Sequence, residues 1–206
     1  EGPVSRITSA SPSYVVFDIR ITGRSAHAGV EPEKGISALL IAAKILTQLP
    51  LGRIDAETTA NIGRAEGGLK RNIIPETAFL DGEIRSRDRG KLNQYSQEFR
   101  EVFGRVAAEY PEARISLDIR NSYQAYHLED SDRSVEMITR ALERVGLEPS
   151  LEASGGGSDA NVFIENGVAA LPVGIGVHSF HTKDETAVIS EVLKGAEVCE
   201  QIITGF

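Results

Sequence analysis

The residues best suited to chemistry in this chain are Gly155-Gly156-Gly157-Ser158-Asp159 and, about twenty residues on, His178-Ser-Phe-His181-Thr-Lys-Asp184-Glu185. A run of glycines lets a ligand approach backbone N–H groups. Ser158 or Asp159 can cap a following helix, whose first N–H groups suit a carboxylate or a developing oxyanion. The same residues also make an ordinary loop-to-helix cap. A neutral histidine beside an acid such as Asp184 or Glu185 can serve as a metal ligand with a supporting partner. No HExxH or CxxC pattern accompanies His178 and His181, so each is also readable as a loop histidine bonded to backbone, His178 more so than His181.

His27 sits in Gly23-Arg-Ser-Ala-His27-Ala-Gly29, where small neighbours leave it open to contact a ligand. Asn72 precedes Ile73-Ile74-Pro75, and Arg85 closes Glu83-Ile84-Arg85. An arginine there could grip a carboxylate with both arms of its fork. Taken singly, His27 also reads as a surface histidine and Arg85 as a solvated strand-end charge. His127 reads as a boundary residue.

Composition sets limits on partners. The 206 residues carry a net charge of -8, with no Lys/Arg run, which argues against a nucleic-acid partner. No apolar run approaches the ~20 residues that span a bilayer, so no membrane role is expected. The single cysteine, Cys199, cannot pair within the chain and falls in an apolar-periodic segment. It is expected to be a buried, inert thiol, and a cytoplasmic setting follows.

These residues need elements to hold them. Residues 14–22 are β-branched and aromatic and read as a strand ended by Gly23. Helical spacing runs from Pro32 to Leu46, and strands follow at 58–62 and 77–85. An amphipathic helix over 91–110 leads to a strand at 115–119. The order β-α-β-β-α-β predicts a ferredoxin-like domain over 14–122. Beyond it, the pattern gives a helix at 131–145, a strand at 150–153, a helix at 159–165, an apolar strand at 169–173 and a helix at 189–203. That second part, with residues 1–13, reads as a piece of a larger α/β sheet.

In order and spacing, the motifs around His27, Asn72-Ile-Ile-Pro75, Glu83-Ile-Arg85-Ser86, Gly-Gly-Gly-Ser158-Asp159-Ala-Asn161 and His181-Thr-Lys-Asp-Glu185 resemble one family. It is that of the co-catalytic zinc metallopeptidases, which includes peptidase T, carboxypeptidase G, aminoacylase-1 and succinyl-diaminopimelate desuccinylase; the peptidase T-like branch is the most similar. The resemblance implies that the ferredoxin-like unit is a lid and dimerisation domain, and the rest the C-terminal part of the catalytic domain. It further implies that His27 steadies the tetrahedral intermediate in a homodimer, and that Asn72 and Arg85 hold substrate. Gly156, Gly157 and Ser158 would form the substrate loop, with His181 as the last zinc ligand. Two zinc ions and hydrolysis of small peptides by metal-activated water are implied for the intact enzyme.

The family's His-x-Asp motif and adjacent Glu-Glu pair do not occur in this sequence. Glu1-Gly-Pro-Val matches a stretch that follows another ligand, so the chain is expected to be a C-terminal portion, inactive alone, with at most one partial metal site. An amidohydrolase acting on N-acyl amino acids, or a non-catalytic dimerisation and ligand-binding module, are the alternatives.

Overall fold

Along residues 13–22 the side chains alternate between those that avoid water and those that seek it, which commits the segment to the centre of a sheet with one wet face. In the computed structural model, which describes residues 2–205, this is borne out. Glu1, the first residue of the Glu-Gly-Pro-Val stretch, lies outside the described residues. In chain order the strands are β1 (Arg6–Ser11), β2 (Ser13–Thr22), β3 (Gly52–Arg53), β4 (Thr58–Gly67), β5 (Thr77–Ser86), β6 (Arg114–Tyr123), β7 (Tyr126–His127), β8 (Ser150–Ala153), β9 (Val177–His178) and β10 (Thr186–Ala187). The helices are α1 (Ala38–Leu46), α2 (Arg89–Glu109), α3 (Arg133–Arg144), α4 (Asp159–Glu165) and α5 (Ile189–Thr204). Contacts divide the chain into two units, Ser13–Tyr123 and the described residues outside that span.

In the Ser13–Tyr123 unit, β2 pairs antiparallel with β5 on one side and β6 on the other, giving the sheet order β3-β4-β5-β2-β6. Val15, Phe17, Ile19 and Ile21 of β2 are buried with Leu80 and Ile84 of β5. α1 covers this face with Ala38, Ile41, Ala42 and Ile45, and α2 with Leu92, Phe99, Val102 and Val106. Asp88 starts α2 by accepting from the Gly90 and Lys91 N–H groups at 2.7 and 3.1 Å, which satisfies two donors that a helix start otherwise leaves open. Phe17 meets Phe99 edge to face, with ring centroids 5.2 Å apart. A Cβ on Gly82 would stand 2.4 Å from the Phe17 ring and 2.5 Å from the Asn61 carbonyl, so only glycine fits beneath that ring.

The other unit is built on β1, which pairs in parallel with β8 and antiparallel with β7. Val4 and Ile7 are buried with Ile138, Ala141 and Leu142 of α3 and Val198 of α5. β9 and β10 form a separate two-stranded ribbon. Among the described residues, no helix is long and apolar enough to cross a membrane.

Several sequence expectations are corrected. The helix expected from Pro32 splits into a 3-10 turn at Pro32–Lys34 and then α1, because Ile36 pairs with Arg24 through two backbone hydrogen bonds and Gly35 is extended. Ser37 then caps α1 by accepting from the Leu40 N–H. The strand expected at 169–173 is reduced to a single bridge between Ile7 and Val173. Pro172 has no N–H for a ladder; its carbonyl instead accepts from Thr8 at 2.9 Å. At the start of α3 the Asp132 side chain accepts from the Glu129 N–H rather than from the helix. Cys199 is exposed rather than buried: Val198 takes the core position, and the next residue lies about 100° around the helix.

The Phe17–Phe99 contact joins β2 to α2 within the buried cluster that α1 and β5 also line. Phe17→Ala is expected to cost about 3–5 kcal/mol in urea unfolding. A loss below ~1 kcal/mol would mean the aromatic pair does not anchor this core.

Candidate functional site

The glycine loop is held by its own helix start. Ser158 caps α4 by accepting from the Ala160 N–H at 3.3 Å, and the Asn161 side-chain oxygen accepts from the Ser158 N–H at 3.0 Å. The Gly156 N–H donates to Ser154 Oγ at 3.0 Å. These bonds consume donors that the sequence left open for an anion. Among the described residues, the N–H groups of Gly157 and Asp159 remain without a partner.

Gly156, Gly157 and Ser158 line a cleft of about 260 Å³, together with Arg6, Tyr126 and Phe180. The Tyr126 hydroxyl donates to the Thr8 carbonyl at 3.1 Å. Burial pushes its pKa up to about 12. The Arg6 guanidinium is also in the wall; its Nε lies 3.1 Å from a Glu152 carboxylate oxygen but makes no hydrogen bond.

His181 borders this cleft through its neighbour. Its ring stacks on Phe180 with centroids 4.1 Å apart, and its N–H donates to Glu185 Oε2 at 3.0 Å. Its φ of 62° and that of Ser179 at 54° lie in the left-handed region, a cost that side chains with a Cβ bear only where the surroundings fix them. His178 is set apart from it, with Nε2 3.5 Å from Glu191. Among the described residues, no three His, Cys, Asp or Glu side chains are grouped so as to hold a metal ion. Zinc therefore does not fit on these residues alone; His181 can offer one ligand.

In the Ser13–Tyr123 unit, the structure brings His27 and Asn72 together. The Ala28 N–H donates to the Asn72 carbonyl at 3.0 Å, and the Ile74 N–H to the Ala26 carbonyl at 2.9 Å. Gly23, where the chain leaves β2, lets the Arg24–Ile36 bridge close: a Cβ there would stand 2.1 Å from the Ile36 carbonyl oxygen. His27 is exposed, and its Nδ1 accepts from the Gly29 N–H at 3.2 Å. The neutral ring consequently carries its proton on Nε2, as a donor facing no partner among the described residues.

Arg85 is not in that cluster. It lies eight residues along β5 from Thr77, a distance of about 26 Å at ~3.3 Å per residue. Both arms of its fork already hold Glu83, at 2.9 Å each, and its guanidinium lies 4.5 Å over the Tyr14 ring.

Sequence reasoning missed three residues that shape the cleft. Asn161 is buried and bonded to the loop; its place three residues after Ser158 is a capping-box spacing and was the available signal. Ser11, whose Oγ lies 3.1 Å from the Gly156 carbonyl, and Tyr126 carried no periodic or motif signal.

Residues 10–111 match the family model described as a peptidase dimerisation domain. The chain is 40% identical to the uncharacterized protein YqjE of Bacillus subtilis (strain 168), covering 98% of this chain and 54% of that protein. It is similar to the crystal structure of aminopeptidase PepT from Bacillus cereus ATCC 10987, at 40% identity and a TM-score of 0.85 over 98% of this chain and 54% of that one. A tripeptidase from Staphylococcus aureus subsp. aureus mu50 matches with a TM-score of 0.89 and 29% identity, again over 98% and 54%. The chain thus spans about half the length of these relatives.

Tyr126 offers a direct test of the cleft wall. Its folded pKa is raised above the ordinary value near 10, so the stabilisation of the neutral phenol is complete below about pH 10 and is lost as pH rises through about 12. Ultraviolet titration should find one tyrosine ionising after the others, and Tyr126→Phe should remove that step. A single transition shared by all tyrosines would contradict the burial.

Proposed function

Because this chain belongs to the M20 peptidase family, with that family's dimerisation domain within it, we propose that it is the dimerisation lid and part of the catalytic domain of a metallopeptidase that hydrolyses small peptides. The observation that carries this reading is the His27 ring. Its Nδ1 is committed to Gly29, which leaves Nε2–H as a preset donor on a loop sewn to Asn72. A donor fixed before the reaction stabilises developing negative charge without reorganising during the step. Asn72, on the paired segment, is suited to hold the substrate's backbone. The Gly157 and Asp159 N–H groups can receive a substrate carbonyl or carboxylate at the other unit's cleft. Arg85 would hold a substrate carboxylate only by exchanging it for that of Glu83.

Zinc is the metal we assign to the complete enzyme, with His181 as one ligand and the others in the part of the relatives' length that this chain does not span. On this reading the isolated chain is inactive. The unpaired Cys199 suits a reducing cytoplasm.

A homodimer through the lid is supported by two features of the Ser13–Tyr123 unit. Leu40 is 68% exposed on α1, with Leu39 beside it over the Gly67–Gly68 turn. β3 pairs only with Thr59 and Ala60, so the rest of β4 presents an edge unpaired among the described residues. Such an edge readily accepts a second strand. The opposite edge, β6, bears Arg114, Asp118 and Arg120, charges that discourage pairing.

Two experiments bear on this. In the complete polypeptide, tripeptides should be cleaved in preference to N-acyl amino acids, and His27→Ala should lower kcat about 10²–10³-fold with little change in KM. Preference for N-acyl amino acids would favour the amidohydrolase reading, and undiminished kcat would remove His27 from the reaction. By sedimentation, Leu40→Asp should weaken dimerisation at least about tenfold; an unaffected dimer would place the interface elsewhere.

A further inference from the structure

Asn161 is 1% exposed, and both ends of its amide are engaged. Its Oδ1 accepts from the Ser158 N–H at 3.0 Å and lies 3.0 Å from Ser11 Oγ. Its Nδ2 donates to the Pro12 carbonyl at 3.2 Å and the Gln124 carbonyl at 2.9 Å. Pro12 and Gln124 are the residues at which the chain leaves and re-enters this unit, on either side of Ser13–Tyr123. One buried amide therefore ties both crossings to the backbone of the loop that lines the cleft. Turning it over would set its oxygen against two carbonyls and its NH₂ against the Ser158 N–H, so the arrangement has no low-energy alternative.

We infer that Asn161 is a positioning residue that transmits displacement of either crossing to the Gly156–Ser158 backbone. The loop's importance for substrate rests on the peptidase reading; the coupling itself does not, and its test requires no catalysis.

The test is amide hydrogen exchange on this chain and its Asn161→Asp variant. Aspartate keeps the shape and an acceptor for the Ser158 N–H, but replaces the two donors with an oxygen facing two carbonyls. At neutral pH the variant should exchange about tenfold faster across residues 124–128 and also across residues 156–160, with α3 unchanged. Repulsion and burial raise the introduced carboxyl above its ordinary value of about 3.9. Protonation returns one donor, so protection, corrected for intrinsic rates, should recover below about pH 4 and be lost as pH rises through the raised value. Faster exchange confined to 124–128 would overturn the coupling, as would a uniform rise that includes α3. Should the variant fail to fold, wild-type exchange in increasing urea decides. The two segments should open with one urea dependence, and separate dependences would overturn the proposal.

Discussion

A chain that leaves a folded unit and returns to it more than a hundred residues later must hold its exit and entry points together. Here that constraint falls on the carbonyls of Pro12 and Gln124, both of which accept from the Asn161 amide. The same side chain receives the Ser158 N–H, so the support of the crossings and the shape of the glycine loop share one buried group. A buried amide with four partners is costly to disturb in any one of them.

The inserted unit solves a separate problem, the display of an exposed histidine on a stable support. β2 lies between β5 and β6, and its buried face packs under both helices. From its end the chain turns at Gly23 into the His27 loop, which backbone bonds stitch to Asn72 and Ile74. A ring on such a loop has one nitrogen committed and one left to act. The sequence encodes this with glycines where backbones meet too closely for a Cβ, at Gly23 and again at Gly82.

Much of this was legible beforehand, where burial leaves a period in the sequence. β2, β5 and α2 announce themselves by alternation or by a helical stripe, and the α4 start by its Ser-Asp cap. β1 did not, because its buried positions include Ser9 and Ser11, which look like loop residues until their partners are known. The apolar run at 169–173 misled in the opposite direction, since Pro172 cannot donate to a ladder. Asn161 could be seen as a cap residue, but not as a junction: its partners lie 149 and 37 residues away in the chain. The Arg85–Glu83 pair was readable in principle, since residues two apart share a strand face.

The described residues bring a preset donor and a shaped loop, but among them no group of side chains completes a metal centre. The measurement that tests this most directly is calorimetric titration of the chain with zinc, beside a His181→Ala variant. At most weak binding at one site is expected, lost in the variant. Tight binding at two sites would show that a full ligand set is present within these residues, and would contradict it.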